Sequence, residues 1–272
     1  MTAIAIEDLV FRYPSGVTAL DGVDLRIDPG ETVAVIGQNG AGKTTLARHL
    51  NGIHRPTSGT VRLDGRDTAE RSIASLSASV GYVFQNPAEQ LFASTVRADV
   101  EFGPRNLGRG EEEARRLADR ALEATGLTPF ADHHPYHLSP ADRKRVALAA
   151  VLAMDTPVVV LDEPTTGQDH AAVTRIARIV AALRDEGRTV VAVSHDMDFV
   201  AENFARVVVM AQGRVIADGT PGEVFTRSAD LERARVEPPQ MLRLAAELGW
   251  ARPVTTVPEF LDALRAGPSG RG

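Results

Sequence analysis

Apolar and polar positions nearly alternate over residues 4–13 and again over 17–27, with Pro14, Ser15 and Gly16 between them. A period of two broken by a turn predicts two half-exposed antiparallel strands. Residues 61–63, ahead of Asp64 and Gly65, add another. Further along the pattern changes, and 32–36, 158–161 and 189–193 are almost unbroken apolar runs. Such runs suit parallel strands covered on both faces. Helical periodicity falls between them, at 44–50, 111–125, 143–154 and 171–186, where Gly187 supplies a stop. Buried strands alternating with helices predict an α/β fold with a mainly parallel core sheet. Residues 207–210 and 215–217 read as a hairpin across Gln212 and Gly213. A polar stretch near 231–239 then leads to two short helical patterns, 241–248 and 258–266. The tail, 267–272, reads as disordered.

The chain has 272 residues and is 43% hydrophobic, enough for one large domain with or without an appendage. Its longest apolar run, 146–154, is about half of the ~20 residues that cross a bilayer. Glu7 and Asp8 interrupt the first ten residues, so no signal core is expected there. Any membrane role is expected to run through a protein partner. The net charge is −6 and the basic residues are scattered among acidic ones, so no nucleic-acid partner is expected. Without cysteine there are neither disulfides nor thiolate metal sites, and the cytoplasm is the default compartment. Nearly every basic side chain is arginine; Lys43 and Lys144 are the only lysines, which makes the placement of Lys43 informative.

Gly37, Gln38, Asn39, Gly40, Ala41, Gly42, Lys43 and Thr44 follow a buried strand and open a helix, the setting a phosphate-binding loop requires. Its glycines let successive N–H groups face phosphate oxygens, and the helix start adds partial positive charge. Lys43 would reach the β and γ phosphates, and the Thr44 hydroxyl would ligate Mg²⁺. Asp162 and Glu163 end a second buried strand. Alternation along a strand gives the pair different directions, so Asp162 would hold Mg²⁺ and Glu163 would polarise the attacking water. Alone, such a pair is equally a strand end meeting solvent; behind a phosphate loop the catalytic reading prevails. His195, just past another buried strand, could hydrogen-bond a γ-phosphate or its attacking water, or simply face solvent. Gln85, at the end of GYVFQ, has an amide able to ligate Mg²⁺ or a water, or to cap a turn. The cluster of His133, His134 and His137 lacks carboxylate or thiolate companions at metal spacing, so zinc is not expected.

The ordered segments GQNGAGKTT, GYVFQNP, LSPADRKRVALA, VVVLDEPTTGQD and AVSHD resemble the ATP-binding cassette (ABC) ATPase family across most of residues 1–230. The resemblance implies a P-loop NTPase that binds ATP and Mg²⁺ and hydrolyses ATP. It implies an ABC ATPase domain over 1–230 with an antiparallel β-subdomain and a helical subdomain inserted at roughly 87–150, then a C-terminal helical extension over 231–272. By the same resemblance Tyr13 looks like the aromatic that stacks on adenine, with a packed strand tyrosine as the alternative. Thr45 belongs to the nucleotide loop, Gln85 looks like the nucleotide-sensing glutamine, Asp169 like the inter-subunit loop aspartate, and His195 like the switch histidine. The segments FQNPAEQLF, TV, DVEFGPRNL and EPPQMLRL resemble ATPases of energy-coupling-factor importers of vitamins and metal ions. That likeness implies two ATPase subunits on a transmembrane coupling protein and a substrate-binding membrane protein, at the cytoplasmic face of the membrane. The region after Gln85 would receive the coupling protein's helices.

One departure stands out. Where the family has LSGGQ, this chain has Leu138, Ser139, Pro140, Ala141 and Asp142. In the family this segment, here beginning at Ser139, presents backbone N–H groups to the γ-phosphate held by the other subunit. Pro140 removes one donor, and Asp142 brings negative charge. The same residues make a strong helix start, with Ser139 as N-cap and Pro140 first in the helix. A self-capped end receives anions poorly, which predicts an asymmetric heterodimer. Soluble repair or translation ATPases of this family are disfavoured, because about ninety residues without heptads separate Thr44 from Leu138 and the chain holds one cassette. A regulatory, non-catalytic subunit is disfavoured by Asp162, Glu163 and His195.

Overall fold

The computed structural model describes residues 3–250 and 252–266, so the tail expected over 267–272 lies outside the described residues. The chain runs β1 (Ile4–Arg12), β2 (Thr18–Ile27), β3 (Thr32–Ile36), α1 (Lys43–Leu50), β4 (Ser58–Leu63), β5 (Arg66–Asp67), α2 (Ile73–Ser77) and β6 (Val80–Val83). Then come α3 (Val96–Asn106), α4 (Glu111–Thr125), α5 (Pro140–Ala153), β7 (Val158–Asp162), α6 (His170–Asp185), β8 (Thr189–Val193) and α7 (Met197–Asn203). The last elements are β9 (Arg206–Ala211), β10 (Arg214–Gly219), α8 (Pro221–Phe225), α9 (Ser228–Ala234), α10 (Gln240–Glu247) and α11 (Val257–Ala266).

The alternating strands build an antiparallel sheet in the order β2-β1-β4-β5, and the apolar runs build a second sheet, β10-β9-β3-β8-β7-β6. Within the second sheet β9, β3, β8, β7 and β6 are parallel, and β10 closes it as an antiparallel hairpin with β9. Every residue of β3, β7 and β8 is buried. Side chains alternate across a strand, so Val33 and Val35 enter one core with the antiparallel sheet and α1, while Ala34 and Ile36 enter another beneath the helices. Helices α3, α4 and α5 pack on one another through Val100, Leu117, Leu122 and Val146, giving the inserted helical subdomain.

The structure adds helices that the pattern did not announce: α2, α3, α7, α8 and α9. Helix α5, whose apolar pattern is clearest over 143–154, starts at Pro140 with Ser139 as its cap, as the signature segment predicts. Where a polar connection was expected from 231, α9 crosses residue 230 and buries Leu231 and Ala234. No helix among the described residues is long and apolar enough to cross a membrane.

Candidate functional site

The loop between β3 and α1 curls tightly because glycine is required at two contacts. Gly37 has φ +145°, and a Cβ there would run into the Met210 carbonyl; at Gly42, φ +102°, it would lie 2.6 Å from the Ala19 carbonyl. Around this curl the Gly213 N–H donates to the Ala41 carbonyl (3.1 Å), and the Gln38 N–H donates to the Ala234 carbonyl on α9 (2.9 Å). Lys43 is buried and donates Nζ to the carbonyls of Gly37 (2.7 Å) and Gln38 (2.9 Å). Burial pulls its ammonium below the usual lysine range, and the charges of Glu163 and Asp162 oppose that shift.

Beyond β8, which separates it from β3, β7 ends at Asp162 and Glu163 follows directly. Asp162, 1% exposed, accepts from the Thr44 hydroxyl through Oδ1 (3.1 Å) and from the Tyr82 hydroxyl through Oδ2 (2.8 Å). Burial raises its pKa, and the two hydroxyl donors resist the rise. Glu163 has a left-handed backbone, φ +54°, which is uncommon for a residue with a Cβ. Its Oε2 accepts from Thr166 Oγ1 (3.2 Å), and its Oε1 lies 3.1 Å from His195 Nε2. Burial raises the Glu163 pKa. Burial, and then the nearby Lys43 charge, lower that of His195, so the imidazole is neutral at pH 7. His195 Nε2 also stands 3.4 Å from Lys43 Nζ.

A cavity of about 220 Å³ opens among Asn39, Gly40, Gly42, Lys43, Thr44, Thr45, Gln85, Glu163 and His195. The fold thus brings residues from four separate sequence segments to one space. Tyr13 stands at its edge, its hydroxyl 3.0 Å from Thr45 Oγ1 and its ring edge-on to Phe11 and His54. Ser139 and Asp169 lie outside this cavity. Asp169 caps α6 by accepting from the Ala172 N–H (2.8 Å). Ser139 Oγ donates to Asp142 Oδ2 (2.8 Å) and accepts from the Asp142 N–H (3.1 Å), while Arg145 pairs with the same carboxylate.

The oxygen donors gathered here, the Thr44 hydroxyl, the Asp162 carboxylate and the Gln85 amide, form the hard set that Mg²⁺ takes. The loop amides and Lys43 match a triphosphate. Two contributors escaped the sequence. Tyr82 supplies a buried donor to Asp162, and its only signal was a hydroxyl inside an otherwise apolar strand. Arg48 lies 5.9 Å over the Phe84 ring and pairs with Glu89 (3.1 Å), tying α1 to the segment after Gln85.

A family model described as ABC transporter matches residues 20–166. The energy-coupling factor transporter ATP-binding protein EcfA of Methanothermobacter thermautotrophicus is 44% identical over 250 residues, 91% of this chain and 80% of that protein. A putative ABC transporter ATP-binding protein of Methanosarcina acetivorans is also 44% identical, over 245 residues, 90% of this chain; the chain spans 40% of that relative's length. The solved structure of cbiO1 from Clostridium perfringens, described as part of the ABC transporter complex cbiONQ, superposes with a TM-score of 0.74 at 36% identity, covering 90% of this chain and 98% of that one. The chain belongs to the ABC transporter family and is an ATP-hydrolysing cassette, with energy-coupling-factor ATPases among its relatives.

Proposed function

We propose that this chain hydrolyses ATP in an energy-coupling-factor importer of a vitamin or a metal ion. The convergence of Lys43, Thr44, Glu163 and His195 on one cavity, with Asp162 bonded to Thr44 behind its wall, supports that reading. Gly37 to Thr45 cradle the phosphates, Lys43 leaves its loop carbonyls for the β and γ oxygens, and Tyr13 turns its ring to the adenine. Thr44, Asp162 and Gln85 would hold Mg²⁺, which when bound neutralises phosphate charge. The Glu163 carboxylate orients the attacking water and accepts its proton, since burial raises its proton affinity toward that task. The neutral His195 hydrogen-bonds either Glu163 or the γ-phosphate from its place 3.1 Å away. In the assembled transporter, Glu163→Gln should bind ATP normally and lose steady-state turnover; turnover at the wild-type rate would refute this assignment.

The partner is a membrane-embedded coupling protein with its substrate-binding subunit, seated at the cytoplasmic face. Phe92 and Phe102, 62% and 45% exposed, meet edge-on at 4.6 Å beside the Gln85 segment and offer an apolar seat for its helices. The second ATPase is a different chain. Ser139, Asp142 and Arg145 satisfy one another at the start of α5, leaving that helix end a weak receptor for a nucleotide held by the partner. The site of this chain, closed by the partner's signature, turns over; the opposite one turns over slowly, and Asp169 serves as the inter-subunit loop aspartate between them. In this division, 1–230 is the cassette and 231–272 is an appendage to it.

A further inference from the structure

Lys144 is one of the chain's two lysines, and both lie against Glu163. It sits in the second turn of α5, half-buried, and donates Nζ to the Glu163 carbonyl (3.0 Å) and to the Thr166 carbonyl (2.8 Å). These carbonyls bracket the turn that carries the base. Glu163 enters the turn with φ +54°, a left-handed conformation that is unfavourable for a residue with a Cβ and persists only where neighbours impose it. The Glu163 N–H is fixed to the Val193 carbonyl (2.9 Å), so main-chain ties hold the residue from both sides. Gln168 Nε2 adds a second link from the turn to α5, donating to the Ala141 carbonyl (3.2 Å).

We propose that Lys144 is a positioning residue that sets the backbone of Glu163 and thereby aims its carboxylate at the attacking water. This rests on Glu163 being the base. An ammonium suits the task because its three donors spread tetrahedrally on a slim stem, so one group serves two carbonyls; a guanidinium presents a flat fork matched to a carboxylate. The placement has a consequence for the dimer. Helix α5, which begins at the segment facing the opposite nucleotide, grips the catalytic turn of its own nucleotide. Displacement of α5 at one site therefore reaches Glu163 at the other.

Steady-state kinetics and equilibrium ATP binding on Lys144→Met, Lys144→Gln and Lys144→Arg in the assembled transporter test this, with Glu163→Gln alongside. Lys144→Met should lower kcat roughly 10- to 100-fold with ATP affinity within about twofold of wild type. Lys144→Gln, which keeps a donor for one carbonyl, should recover part of kcat, and Lys144→Arg should recover less. Wild-type kcat in Lys144→Met, a parallel loss of ATP affinity, or recovery by Arg above Gln would overturn the proposal. If Lys144→Met fails to fold, the order of Gln above Arg decides alone. Should Glu163→Gln itself keep full turnover, the assignment of the base fails and the role of Lys144 falls with it, whereas lost turnover in Glu163→Gln beside wild-type kcat in Lys144→Met overturns the positioning role alone.

Discussion

At the scale of single residues, buried polar groups set both chemistry and stability. His49 is fully buried one turn beyond Thr45, donates Nδ1–H to the Thr45 carbonyl (2.7 Å), and leaves Nε2 without a hydrogen-bond partner among the described residues, beside Phe11 and His54. Burial pulls its pKa from 6.5 down to about 4. The unfolded chain therefore binds a proton that the folded chain refuses between those values, and stability falls as pH drops through that window. The effect is about 2 kcal/mol between pH 7 and 5. Urea unfolding at the two pH values should show this loss in wild type and little of it in His49→Asn. An equal loss in both proteins would remove His49 from the account.

At the scale of elements, the start of α5 shows how one stretch can serve stability against ligand capture. Ser139 and Asp142 satisfy each other, and Pro140 needs no hydrogen-bond donor at the first helical position. Changing Pro140, Ala141 and Asp142 to Gly, Gly and Gln should free those amides. Turnover of the proposed asymmetric dimer should rise while the chain loses about 1 kcal/mol of stability, read by thermal unfolding beside the ATPase assay; unchanged turnover would count against self-capping as the brake. This helix end was legible in sequence, because capping depends on neighbours three residues apart. So were β3 and β8, whose apolar runs match the observed strands end to end. Helix α3 was not, since Gly103 and Pro104 interrupt its pattern, and α2, α7, α8 and α9, five to seven residues each, are too short to display a period. The phosphate loop and the Asp162–Glu163 pair could be read because their atoms are consecutive. The Tyr82 and Lys144 contacts span 80 and 19 residues, and no local pattern announces such pairings.

At the scale of the molecule, one sheet brings the candidate nucleotide residues to the ends of β3, β7 and β8, and the seat proposed for a membrane partner lies on the helical subdomain. Glu89, paired with Arg48 of α1, joins the two. Phe92→Ser with Phe102→Ser should reduce co-purification with membrane subunits while leaving ATP binding intact; undiminished co-purification would move the docking seat elsewhere. The proposed activity depends on the anion cradle, where one ammonium and the curled amides would meet a triphosphate. Equilibrium binding of Mg-ATP to wild type and to Lys43→Ala tests it directly. Affinity and turnover should collapse together in the variant, whereas a Lys43→Ala protein that binds and hydrolyses ATP as wild type does would refute the cradle.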